Sequence, residues 1–158
     1  MALTDPFQNF KVHRDLVLEF VAVCARCEYA MKETEYKRNA RGMVSAAWQM
    51  LAEGAGRWLR VPEGSDLADA VRLLSEAPPM VQTFDAGWQP VLYAGQNEIE
   101  RAVNAAVQVR HNLFHGGKHH PSEGNRDRDL VQAALTLLKA VIEAEPGHLR
   151  EEYNLGDA

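Results

Sequence analysis

Arg110-His111-Asn112-Leu113-Phe114-His115-Gly116-Gly117-Lys118-His119-His120 gathers the residues of this chain best suited to chemistry, including four of its six histidines. No Asp or Glu occurs from Arg101 to Ser122, although the chain carries a formal charge of -5. A histidine titrates near neutral pH and can take or give a proton. An arginine stays charged and can fork two hydrogen bonds onto phosphate oxygens as negative charge builds there. Together they suit phosphodiester cleavage. RNA supplies its own nucleophile, the 2′-hydroxyl, so this chemistry does not require a metal. The stretch also lacks the carboxylate cluster of a two-metal nuclease.

The element that must carry these residues is a helix. Each residue advances about 100° around it, so His111 and His115 lie nearly above one another, and Arg110 and His115 differ by about 140°. Arg110, His111 and His115 can therefore share one broad polar face. Leu113 and Phe114 turn toward the core, with Phe114 at the boundary. Asn97, followed by Glu100, reads as a capping box that opens this helix. Its buried face would be Ile99, Val103, Ala106, Val107, Leu113 and Phe114, and the Gly116-Gly117 pair would end it.

Three further patterns of helical period precede it. Leu16, Val17, Phe20, Val23, Cys24, Cys27 and Met31 recur at three and four residues, predicting a helix over 14–32 with one face buried. The polar run 32–41 either extends that helix or breaks it. Val44, Trp48, Leu51, Ala55 and Trp58 predict a second helix over 43–59, in which Gly54 and Gly56 allow close approach of another helix. Ser65 or Asp66 caps a short third helix with Leu67, Val71 and Leu74 inward. The segment 80–95 lacks a period and reads as a long, partly packed loop, with a short strand possible at 90–93. Beyond the polar loop 118–126, Asp127 is expected to cap a final amphipathic helix that ends at Pro146-Gly147. The tail 147–158, acidic from Leu149, is expected to be loose. The prediction is an all-α fold, an antiparallel bundle of four to five helices forming a single domain over 1–158.

The run Arg110 to Lys118 resembles the Arg-x4–6-His signature of HEPN domains (higher eukaryotes and prokaryotes nucleotide-binding), in its bacterial branch. The preceding amphipathic helix and the final one fit as well, as does, more loosely, Ala25-Arg26-Cys27-Glu28-Tyr29-Ala30-Met31-Lys32. The resemblance covers most of the chain but rests on about ten residues. It implies a HEPN-like bundle that dimerises and brings two Arg/His pairs into one cleft. It also implies a metal-independent endoribonuclease of toxin-antitoxin, phage-defence or RNA-processing type. Carried over, His115 is the general acid/base, Arg110 the phosphate clamp, and His111 an orienting or RNA-binding residue. One position departs from the family: where toxins paired with a nucleotidyltransferase antitoxin have a tyrosine, two residues after the histidine, this chain has Gly117. Silencing by modification of that tyrosine is not expected. The alternative function is a non-catalytic HEPN-type module that binds a nucleotide or a protein.

Around this pair, Lys118 either contacts phosphate or is solvated, and Asn112 either aligns RNA or satisfies backbone groups at the helix end. Glu28 either pairs with Lys32, four residues on, or faces the cleft and binds Arg110 or a histidine. A zinc site built from His111, His115, His119 and His120 has acceptable spacing, but no acidic or cysteine ligand lies near in sequence. No metal and no cofactor are expected. Cys24 and Cys27 read as reduced thiols filling a helix face. The three tryptophans read as core or interface rather than base-stacking platforms. The net negative charge argues against a protein that coats nucleic acid non-specifically. No apolar run is long enough to span a bilayer, and the first residues lack the pattern of a signal peptide. The expected setting is the cytoplasm, and the expected partners are RNA, a second copy and an antitoxin or regulatory protein.

Overall fold

The computed structural model of the chain describes residues 2, 3, 5, 7, 8, 12–114 and 124–155. Over these residues the protein is mostly helical, with two small antiparallel hairpins. The first helix, α1 (Arg14–Glu33), follows the predicted period: Val17, Phe20, Val23, Cys24, Cys27, Ala30 and Met31 are buried. The third, α3 (Asp66–Glu76), is capped by Ser65, whose hydroxyl accepts from the Ala68 amide at 3.1 Å.

The predicted helix over 43–59 divides into a strand and a helix. Strands β1 (Lys37–Ala40) and β2 (Met43–Ala46) pair antiparallel, with Ala40 opposite Met43, and only at Trp48 does α2 (Trp48–Trp58) begin. Arg41 and Gly42 form the turn, both at positive φ (55° and 86°). Two positive φ values define a type I′ turn, whose twist matches a hairpin. Asn39 Oδ1 accepts from the Gly42 amide at 2.7 Å. Arg41 is the one non-glycine residue with positive φ among those described. A side chain in that region costs about 1–2 kcal/mol.

The segment 80–95 also holds a hairpin, β3 (Val81–Thr83) with β4 (Gly87–Gln89), rather than a strand at 90–93. Thr83 closes it, its hydroxyl accepting from the Ala86 amide and donating to the Gly87 carbonyl. These two hairpins are the departure from the expected all-α architecture.

The fourth helix, α4 (Glu98–Phe114), opens at the predicted Asn97 cap, but the returning carboxylate bond reaches Gln96, the residue before the cap. Asn97 Oδ1 accepts from the Glu100 amide at 3.0 Å, and the Glu100 carboxylate accepts from the Gln96 amide at 2.7 Å. Gly56 admits this turn: a Cβ there would lie 2.8 Å from both Asn97 Nδ2 and Glu100 Cγ. The inward face of α4 is Ala102, Val103, Ala105, Ala106 and Val109, all small or β-branched. It packs against α2, α3 and α5 (Gly124–Ala144). Helix α5 starts three residues before Asp127, which lies in its first turn instead of capping it. The tail expected to be loose forms α6 (Leu149–Leu155), which packs on α1 with Leu149 fully buried. One hydrophobic cluster draws buried side chains from all six of these helices. No helix among the described residues is long and apolar enough to cross a membrane.

Candidate functional site

Arg110 lies near the end of the described part of α4, four residues before Phe114. Its Nη2 donates to Glu28 Oε2 on α1 at 3.0 Å, across a sequence separation of 82 residues. The other carboxylate oxygen, Oε1, accepts from Trp48 Nε1 at 3.0 Å. Glu28 thus grips Arg110 through one oxygen, because the second is committed to the indole. The pair is partly buried, the side chains being 31% and 26% exposed. On the same helix, one turn on, the Phe114 ring lies 5.3 Å from the guanidinium carbon, within cation–π range.

Of the two geometries open to Glu28, it therefore takes the one that faces Arg110. Phe114 turns out toward solvent, more than half exposed, and lies against the guanidinium rather than the core. Asn112 satisfies a backbone group: its Nδ2 donates to the Met80 carbonyl at 2.8 Å, while its Oδ1 accepts from Gln108 Nε2 at 2.7 Å. This pins the end of α4 to the entrance of hairpin β3–β4. His111 is exposed beside Arg110. His115 and Lys118, with His119 and His120 of the zinc reading, lie outside the described residues. Among the described residues no three His, Cys, Asp or Glu side chains group as metal ligands.

Trp48 and Phe114 complete the setting of Arg110 in ways the sequence did not single out. The signal for Trp48 was chemical. An indole N–H that leaves water needs an acceptor, and a tryptophan that opens α2 just after β2, the strand that packs on α1, finds one in Glu28.

Cys24 lies one turn before Glu28, buried, and its thiol is pushed up to about 12. Burial is the main cause. The nearby Arg110 pulls the value down and Glu28 pushes it up. Burial also raises the Cys27 thiol, and it raises the Tyr36 phenol, which Glu145 then raises further. These groups stay neutral in the fold but ionise in the unfolded chain at lower pH. Their contribution to stability is whole below pH 9, the ordinary thiol value, and is lost as pH climbs toward 12. We expect stability to fall by about 1.4 kcal/mol per pH unit for each thiol across that window. Urea unfolding at pH 8, 9, 10 and 11 measures it, and a flat profile contradicts it. Native protein should also resist thiol labelling at pH 8 that unfolded protein accepts at once.

Neither the family models nor the curated proteins nor the solved structures give a match to this chain.

Proposed function

We propose that the chain is a metal-independent endoribonuclease of HEPN type. The observation that supports this best is Arg110 held by Glu28, itself fixed by Trp48, five residues before His115. A guanidinium has five N–H donors, and Glu28 accepts from one of them. A held arginine with donors to spare is ready to receive phosphate oxygens without reorganising.

In the proposed reaction His115 takes the proton of an RNA 2′-hydroxyl. The 2′-oxygen attacks the adjacent phosphorus, and the bond to the 5′-oxygen breaks. The leaving oxygen takes a proton from an imidazolium. Arg110 neutralises the charge that gathers on the non-bridging oxygens. The products are a 2′,3′-cyclic phosphate and a 5′-hydroxyl. His111 and Lys118 bind or orient the RNA. The same reading makes the protein a cytoplasmic homodimer, possessing an antitoxin or regulatory partner.

A second reading, a non-catalytic module that binds a protein or nucleotide, draws on the fully exposed Phe84 and Leu92 around hairpin β3–β4. Incubating total RNA with wild type and His115→Ala in excess EDTA separates the two. The ribonuclease reading expects wild type to cut and the variant to lose at least a hundredfold in rate, both being folded by circular dichroism. Equal activity in the two, or none in either, moves the binding module forward.

A further inference from the structure

We infer that hairpin β1–β2 is an arm that grips the phosphate backbone of the RNA strand presented to Arg110, an inference that rests on the ribonuclease reading. The two longest stretches of the sequence without Asp or Glu are 36–52 and 101–122. They are far apart in sequence, yet the structure joins them at one carboxylate: Trp48 of the first and Arg110 of the second both bind Glu28. The base of the hairpin therefore adjoins the held arginine.

The hairpin carries Lys37, Arg38 and Arg41, all exposed. Met43 and Val44 beside them are 70% and 57% exposed, so the tip of the arm stands clear of the packing that β1 and β2 make with α1. At the tip, Arg41 occupies the first central position of the I′ turn, where Asn or Gly is favoured. A strained arginine there sets a cation at the outermost point of the arm, and strain of this kind points to function. The neighbouring Glu35 does not neutralise the arm from below. It lies toward Gly147, at the α5–α6 junction. Three cations within five residues, on the two faces and the tip of one arm of an otherwise acidic chain, fit a local grip on an anionic strand. The arm has no aromatic residue, so it would hold phosphates and leave base selection to other groups.

The test measures binding of a fluorescein-labelled single-stranded RNA to the full chain, across a salt series in EDTA. His115→Ala is present in every protein, so that binding is read without cleavage. Against that parent stand Lys37→Gln/Arg38→Gln/Arg41→Gln and the single variant Arg41→Asn. The triple variant should raise Kd at least tenfold near physiological salt and flatten the slope of log K against log salt by about 2. Arg41→Asn relieves the turn while removing the tip charge. It should bind RNA about threefold more weakly while its Tm holds or rises. A residue with a purely structural role cannot give both results. Affinity and slope equal to the parent in both variants overturn the inference, even if the variants then lose binding to phosphatidylserine vesicles. Failure of the wild-type chain to cleave RNA would undo the ribonuclease reading alone, since the binding comparison does not depend on cleavage.

Discussion

If the proposed ribonuclease reading holds, Arg110→Ala is expected to lower the single-turnover rate of RNA cleavage by about 10²–10³-fold and to leave the fold in place. The rate loss follows from removing a held donor group aimed at developing phosphate charge. The fold survives because Arg110 sits at the surface end of α4, and the inward face of that helix is built by Ala102, Val103, Ala105, Ala106 and Val109. Glu28 loses one partner but keeps Trp48 and its remaining contact with water. Arg110→Lys should recover little of the rate. An ammonium restores the charge but not the planar fork, and it cannot donate to Glu28 and a phosphate in the same geometry. Glu28→Gln gives a milder loss, about tenfold, because the guanidinium is kept but less firmly held. A rate series in the order wild type, Glu28→Gln, Arg110→Lys, Arg110→Ala is the expected outcome. Full activity in Arg110→Ala would remove Arg110 from the chemistry.

The largest expected effect on stability lies at Glu145, at the junction between α5 and α6. Its carboxylate is buried and accepts three hydrogen bonds. The Tyr36 hydroxyl donates to Oε1 at 2.9 Å, and the Gly147 and Leu149 amides donate to Oε2 at 2.9 and 3.1 Å. The last two hold the turn that sets Leu149 into the core at the start of α6. The first ties this turn to the base of hairpin β1–β2, since the Tyr36 carbonyl accepts from the Ala47 amide at 2.8 Å. Glu145→Ala leaves three donors without their acceptor in a buried setting. At about 1 kcal/mol each, the loss is about 3 kcal/mol, or about 6–12 °C in Tm for a chain of this length. Glu145→Gln keeps an acceptor for the two amides and loses about half as much. Thermal and urea unfolding decide the point, and a loss below 1 kcal/mol for Glu145→Ala would contradict it.

Much of this arrangement was legible in local sequence. The apolar period of α1, the Ser65 cap of α3 and the Asn97/Glu100 cap of α4 are each written within a few residues, and the structure has all three. Hairpin β1–β2 was hidden by coincidence of period. Val44 falls in helical register with Trp48, Leu51 and Ala55, and four-residue strands carry too little alternation to compete. Its clue was the turn, but Arg41-Gly42 lacks the Asn or Asp that usually marks a I′ turn. The tail looked loose because its anchor, Glu145, acts through Tyr36, more than a hundred residues earlier. At the site, the choice of Glu28 between Lys32 and Arg110 could not be settled locally. Helical spacing offers the first, and only the tertiary fold brings the second to 3.0 Å.

Attack by the 2′-hydroxyl is tested most directly by cleavage of a short RNA with one scissile linkage, in excess EDTA, beside the same oligonucleotide carrying a 2′-deoxy sugar on the 5′ side of that linkage. Wild type should cut the first, leaving a 2′,3′-cyclic phosphate and a 5′-hydroxyl, and leave the second intact. Cleavage of the deoxy substrate, 5′-phosphate ends, or activity that vanishes with EDTA would contradict attack by the 2′-hydroxyl under the control of Arg110 and His115.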